Sequence, residues 1–288
     1  MAPEAKVTAA TLRARKGTGE RIAIVTAYDV VFAGLADRAG VDAILVGDSL
    51  GMVMQGERST LGVTLDEMVY HCRIAARGVT RAHLIGDLPF MSYQASVEDG
   101  MRAAGRLMKE GHAEAVKLEG GESVAELCRR LVQAGIPVMG HIGLTPQAIH
   151  QLSGYKVQGR TPEAAERLLE DAVALQQAGA FAVVLETIPA PLAELISRRL
   201  RIPTIGIGAG AGCDGQVQVW HDLLTYQTTF ISQHMPRHVK QYANVSEVMR
   251  AAIEQYASEV RSGAFPTKAE SFQMPREVLA ELSKTPSS

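Results

Sequence analysis

The sequence is short of several features that would fix a function class at once. Its three cysteines, Cys72, Cys128 and Cys213, show no CxxC spacing and cannot all pair, so neither a zinc knuckle nor a disulfide framework is indicated. No run approaches the roughly 18 apolar residues of a membrane span. The N-terminus MAPEAKVTAATLRARKG lacks the apolar centre of a signal peptide. Cytoplasmic residence is the expectation. Charge of one sign is missing as well. A formal net charge of −2 gives no pull toward nucleic acid or an anionic membrane, and neither is expected as a partner. The short cluster Arg13, Arg15, Lys16 reads as a solvated turn. The eight histidines form no HxH or HExxH spacing; His234 and His238 are four apart but lack the glutamate. There is no internal repeat, and no linker rich in Pro, Gly or Ser.

What is present is ordinary in bulk and patterned in detail. With 47% hydrophobic and 21% charged residues the chain is globular in type, and 288 residues suffice for one large α/β barrel or two average domains. Short apolar runs keep stopping on Asp, Glu or His: AILVGDSLG (Ala43–Gly51), AHLIGDLPF (Ala82–Phe90), AVKLEGG (Ala115–Gly121), PVMGHIG (Pro137–Gly143) and FAVVLET (Phe181–Thr187). Strands are expected at Ile22–Ala27, Ala43–Val46, His83–Gly86, Ala115–Leu118, Val138–Gly140, Ala182–Leu185, Thr204–Ile207 and Val217–Trp220. Helical stretches separate them. Thr64 with Glu67 makes a capping box, Ser96 with Asp99 opens a second helix, and Thr161–Pro162 opens a third that runs to Gly179. Continuous apolar strands alternating with helices indicate a parallel sheet covered on both faces. Eight such units fit an α/β fold of the (β/α)₈ TIM-barrel type better than an open doubly wound sheet. The expectation is one barrel domain over 1–288, with a helical extension at about 245–272 and a frayed tail. In the extension, Ser246–Ser262 reads as a helix with Val248, Ala252, Ile253, Tyr256 and Val260 on one face.

A barrel collects its strand C-termini around one mouth. Asp48, Asp87, Glu119, His141 and Glu186, distant in sequence, are therefore expected in one pocket. Several carboxylates without a fixed positive partner repel one another, and a bound cation relieves them. Oxygen donors with no Cys and little His favour a hard ion such as Mg²⁺. Lys117 and Glu119 are two apart on one strand and share a face, where the lysine can hold a substrate carboxylate. The plainer alternative is that the acids cap helices or pair with arginines. His141 reads as a structural hydrogen-bonder, Asp29 as a strand-end acid or a helix cap, and Tyr28 as packing. The stretch GIGAGAG (Gly206–Gly212) contains one GxGxxG register, Gly210–Gly215. It leads into an apparent strand rather than a helix, so a close backbone approach to a ligand, with N–H groups exposed to an anion, is the better reading.

The motifs TAYD, VGDSLGM, STLGVTLDEM, DLPFMSY, VKLEGG, GHIGLTPQ, SGYKVQGR, VLE and IGIGAG occur in one order. Together they resemble the ketopantoate (3-methyl-2-oxobutanoate) hydroxymethyltransferase family, from about Thr11 to Phe272. The resemblance implies a barrel of the phosphoenolpyruvate mutase/isocitrate lyase type. It also implies transfer of a one-carbon unit from the co-substrate 5,10-methylenetetrahydrofolate to 3-methyl-2-oxobutanoate, forming 2-dehydropantoate on the way to pantothenate and coenzyme A. By the same resemblance Asp48, Asp87 and Glu119 are ligands of Mg²⁺ or another hard divalent cation. Asp48, Ser49, Asp87 and Lys117 contact the keto acid, Glu186 accepts the proton, and the chain forms a homodecamer; His141, from its own strand end, is added as a candidate substrate contact. Gly62 stands where the family usually has Pro, Ser153 where it often has Gly, and Thr225–His234 departs from a shorter stretch. Two rivals are a metal-dependent lyase of the same barrel superfamily acting on another 2-oxo acid, and a non-catalytic metal- or anion-binding barrel.

Overall fold

The computed structural model describes residues 5–225 and 236–284. The segment 226–235, which includes His234 and nearly all of the departing stretch Thr225–His234, lies outside the described residues. The chain divides into two compact units, up to Ala243 and from Asn244 onward.

In the first unit eight parallel strands close into a barrel in sequence order. They are β1 (Ile22–Thr26), β2 (Ala43–Val46), β3 (His83–Asp87), β4 (Ala115–Glu119), β5 (Val138–Gly143), β6 (Ala182–Glu186), β7 (Thr204–Ile207) and β8 (Gly215–Gln218). Helices α1 (Ala9–Ala14), α2 (Val30–Arg38), α3 (Leu50–Val53), α4 (Leu65–Ala76), α5 (Val97–Lys109), α6 (Ala125–Gln133), α7 (Pro162–Ala178), α8 (Ala190–Arg199) and α9 (Trp220–Leu223) precede, separate and follow them. The anticipated caps are present: the Thr64–Glu67 box on α4, Ser96 on α5 and Thr161 before Pro162 on α7, which closes on left-handed Gly179.

Strands β3 to β6 run past their expected ends, so Asp87, Glu119, His141 and Glu186 are strand residues rather than loop residues. The eighth strand is corrected: it is Gly215–Gln218, not Val217–Trp220. The apolar pattern drew the expectation toward Val219 and Trp220, but the ladder starts where Gly215 pairs with Ile22. A Cβ on Gly215 would stand 2.5 Å from the Ile22 carbonyl, so only glycine admits that approach. Trp220 already begins α9.

Alternation along the strands separates two cores. Val25, Ile44, Leu84, Val116 and Val183 face outward into a layer shared with the helices. Ile24, Leu45, Ile85, Ala115, Met139, Val184, Ile205 and Val217 fill the barrel interior, together with Val7 and Leu12 from the N-terminal segment. The basic cluster is corrected too, because Arg15 and Lys16 are not simply solvated. Arg15 pairs with Asp42 at 2.7 Å, and Lys16 with Asp214 at 2.7 Å and the Ser197 carbonyl at 2.6 Å, tying α1 to the barrel.

Asp37, at the end of α2, holds the connection from α4 into β3. Its buried carboxylate accepts from Thr80 N at 3.0 Å, Thr80 Oγ1 at 2.6 Å, Arg81 N at 3.0 Å and Ala82 N at 2.6 Å. Burial opposes ionisation there, but these donors outweigh it and hold the carboxyl below its usual value. Asp37→Ala is expected to cost about 2–4 kcal/mol in a denaturant titration, since it leaves several buried N–H groups unpaired. A lowered folded-state pKa means that this contribution is complete above the unfolded value of about 3.9 and is lost as pH falls through the folded one. The stability gap between wild type and variant should therefore narrow below about pH 4.

The second unit contains α10 (Val245–Ser262), capped by Asn244, and α11 (Arg276–Leu282), which lies within the tail expected to be frayed. Among the described residues no helix is long and apolar enough to cross a membrane.

Candidate active site

The alternation that fills the barrel interior also aims the ionisable groups. Asp87 follows Ile85 at the strand period of two, Lys117 and Glu119 follow Ala115, His141 follows Met139, and Glu186 follows Val184. All of them point into the lumen above the apolar layers. Register then levels them: Asp87 pairs with Lys117 across β3–β4, and Glu119 with His141 across β4–β5. They line one cavity of about 810 Å³ at the C-terminal mouth, with Asp48, Ser49, Tyr155 and residues 236–238. His238 is one of these. The five residues expected to converge do so.

Lys117 Nζ lies 2.8 Å from both oxygens of Asp87 and 3.8 Å from Glu119 Oε1. His141 lies between two acids, Nδ1 3.3 Å from Glu119 and Nε2 3.2 Å from Glu186, close enough for ion pairs though off the direction of good hydrogen bonds. The expectation of acids without a positive partner is thus corrected, because register delivers Lys117 and His141 to them.

Burial is the largest influence on Asp48, Asp87, Lys117, Glu119 and His141. It lowers the His141 pKa, as does Lys117, but Glu119 and Glu186 together outweigh them and raise it to about 9. The two flanking acids thus favour the protonated imidazole. Burial, then the charges of Asp87 and Glu119, push Asp48 well above the carboxylate range. Asp87 is raised by burial against the pull of Lys117. Glu119 is held low despite burial, by His141 and Lys117. Glu186 differs in access: its side chain is 16% exposed, against 4% for Glu119 and 2% for Asp87.

Among the described residues no three His, Cys, Asp or Glu side chains stand grouped around one point where a metal ion would sit. Lys117, His141 and Gln147 draw the acids onto themselves. The donor set nevertheless fits a hard cation by its chemistry. Asp48, Asp87 and Glu119 are oxygen donors on or just beyond three adjacent strands, buried together, and Asp48 remains under like-charge repulsion that a divalent ion would relieve.

Ser49 Oγ is hydrogen-bonded to the Tyr28 hydroxyl at 2.9 Å. Tyr28 is fully buried, and its carbonyl meets His71 Nδ1 at 2.7 Å, so it does more than pack. Asp29 is a helix cap, its Oδ1 accepting from Val31 N and Phe32 N. Two glycines of the glycine-rich stretch pack tightly within the protein. A Cβ on Gly210 would stand 2.4 Å from Ala190, and one on Gly212 2.7 Å from Glu194. The close approach at these two positions is to α8. Ser153 adopts φ +56, in the left-handed region that favours glycine, while Gly62 sits in open space. Sequence reasoning missed Gln147, Tyr93 and Tyr155; all three lie inside quoted motifs but carry no charge.

The sequence profile of the ketopantoate hydroxymethyltransferase family matches residues 6–268. A 3-methyl-2-oxobutanoate hydroxymethyltransferase of Chloroflexus aurantiacus is 55% identical over 278 residues, covering 96% of this chain and 97% of the relative. Its namesake in Dehalococcoides mccartyi is 53% identical, covering 97% and 99%. In fold the chain is similar to a phosphoenolpyruvate phosphomutase of Streptomyces platensis subsp. rosaceus, with TM-score 0.59, 18% identity, and 96% and 95% of the two chains covered. It is likewise similar to 2,3-dimethylmalate lyase, a PEP mutase/isocitrate lyase superfamily member, with TM-score 0.58, 18% identity, and 98% and 96% covered. The barrel shares the fold of these structures, and the chain belongs to the ketopantoate hydroxymethyltransferase family.

Proposed function

We propose that this chain transfers a hydroxymethyl group from 5,10-methylenetetrahydrofolate to C3 of 3-methyl-2-oxobutanoate, giving 2-dehydropantoate, the first committed product toward pantothenate. The observation that carries the reading is the placement of the acids around the cavity. Three acids sit on the β2–β4 side, and Glu186 stands apart from them on β6 beyond His141, which lies between Glu119 and Glu186. A divalent cation, Mg²⁺ by this reading, held by Asp48, Asp87 and Glu119 would supply Lewis acidity to the 2-oxo group and ease loss of the C3 proton.

The chain's own groups do the rest. An ammonium has three donors, so Lys117 can hold the substrate carboxylate while it remains on Asp87. Ser49 offers a hydroxyl whose orientation Tyr28 fixes. Glu119 and Glu186 draw His141 toward its protonated form, which makes it a poor acceptor, and Glu186, the more exposed acid and apart from the three metal-side acids, is by this reading the base at C3. The C3 carbanion then forms the new carbon–carbon bond to the one-carbon unit. A water supplies the hydroxyl oxygen, the two bonds from that carbon to the folate nitrogens break, and those nitrogens take up two protons, equivalent to the one lost from C3 and the one lost from the water, releasing tetrahydrofolate.

Self-association belongs to the same reading. Val248, Ile253, Tyr256 and Val260 on α10 are between 45% and 69% exposed, an apolar stripe that suits packing against further copies in a homodecamer. The test is incubation with 3-methyl-2-oxobutanoate, Mg²⁺ and 5,10-methylenetetrahydrofolate, with light scattering to give the mass of the active species. 2-Dehydropantoate should form only when folate is present. Turnover of the keto acid without folate would instead favour a lyase of the same superfamily.

A further inference from the structure

Behind the acids lies a second cavity of about 540 Å³, whose lining includes Glu119, Tyr93 and Gln147. Glu119 borders both cavities, whereas Gln147 borders only this one. Gln147 is 5% exposed, and every hydrogen-bonding position of its side-chain amide is taken. Nε2 donates to Asp48 Oδ2 at 2.8 Å and to the Leu88 carbonyl at 2.9 Å. Oε1 accepts from the Tyr93 hydroxyl at 2.8 Å and from Gln94 Nε2 at 2.9 Å. The backbone N–H of Gln147 donates to Glu119 Oε2 at 3.0 Å. The Tyr93 hydroxyl in turn accepts from Glu119 N at 3.0 Å.

This amide has only one workable orientation. Flipped, it would set its oxygen against a carboxylate and a carbonyl, both acceptors. The local sequence explains how it comes to be there. Thr145 is extended, Pro146 opens a 3₁₀ turn over Pro146–Ala148, and that turn aims both the backbone N–H and the side chain of the next residue back at the barrel mouth. One residue thereby grips two of the three acids from the side opposite the main cavity.

We propose that Gln147, oriented by Tyr93, is the positioning residue of the acid cluster. By occupying Asp48 Oδ2 and Glu119 Oε2 from behind, it leaves the opposite oxygens of both acids to the cavity and fixes their spacing. The inference rests on the functional reading above, since it concerns how the chain presents those acids to a divalent cation and a 2-oxo acid. Gln147 itself touches neither.

The test uses Mn²⁺ as the probe, its free signal followed by electron paramagnetic resonance, with 3-methyl-2-oxobutanoate present and folate absent. Thermal unfolding is recorded alongside. Gln147→Leu keeps the bulk and removes both amide groups, and Mn²⁺ retention should weaken about 10- to 100-fold, as loss of an outer partner of metal ligands typically does. Gln147→Glu keeps the shape but opposes Asp48 with another oxygen, and should bind no better than the leucine variant. Tyr93→Phe leaves the grip on Asp48 and removes one orienting donor. It should weaken retention roughly threefold to tenfold, and it decides the matter if the Gln147 variants do not fold. A purely structural residue would lower the melting temperature and leave retention unchanged well below it; that result would overturn the inference. A wild-type protein that retains no Mn²⁺ with the keto acid would overturn the functional reading as well, so the two failures are distinguishable.

Discussion

Glu186→Gln should nearly abolish exchange of the C3 hydrogen of 3-methyl-2-oxobutanoate for deuterium in D₂O with Mg²⁺ and no folate. The amide keeps the size and hydrogen-bonding reach of the carboxylate but cannot take a proton. Loss of a general base costs about 10²–10⁴ in rate, or about 3–5 kcal/mol of barrel-imposed transition-state stabilisation. Asp48, Asp87, Glu119 and Lys117 are untouched, so the dissociation constant of the keto acid should change little. A second readout guards the assignment. Glu186 is one of the two acids that keep His141 charged, so its removal lowers the imidazole pKa below the present value of about 9. If His141 takes over as base, the residual exchange rate of the variant should climb as pH is raised through that lowered value. Equal exchange in wild type and variant would eliminate Glu186 as the base.

Asp87→Ala should remove Mn²⁺ and keto-acid binding together and destabilise the fold as well. Lys117 is 4% exposed, and both Asp87 oxygens lie 2.8 Å from its Nζ. Breaking a buried ion pair by deleting one partner costs about 3–5 kcal/mol, because the other charge is stranded. Glu119, 3.8 Å from the same nitrogen, offsets part of this. The double variant Asp87→Ala/Lys117→Met separates the two effects. Removing the stranded ammonium should recover much of the melting temperature and none of the binding. Metal-dependent turnover at the wild-type rate in Asp87→Ala would eliminate Asp87 as a ligand.

The barrel and its ring of acids were readable in the sequence because both are written locally. An apolar run of four or five residues ending on a charge fixes a buried strand and its exit, and the period of two then says which way the charge points. What the sequence did not disclose depends on register and on contacts across the fold. That Lys117 faces Asp87 follows from which β3 residue pairs with which β4 residue, and nothing local specifies it. Gln147 meets Asp48 across 99 residues of chain, through a neutral side chain that no charge pattern flags. Strand β8 was misplaced for the opposite reason, since Val219 and Trp220 look more strand-like than Gly215, whose fitness is the absence of a side chain.

The uneven exposure of the ring has a consequence for repeated turnover. A base that has taken a proton is spent until it loses it, and the barrel floor, packed with Ile, Leu and Val, offers no exit below. Asp87, Lys117, Glu119 and His141 have side chains only 2–5% exposed. They are sealed charges, fit to hold a constant field from one cycle to the next. Glu186, at 16%, is the member of the ring wet enough to trade hydrogens with bulk solvent. If Glu186 is the base proposed above, the residue that collects the proton is also the valve through which it drains, and the site can reset without its fixed charges being disturbed.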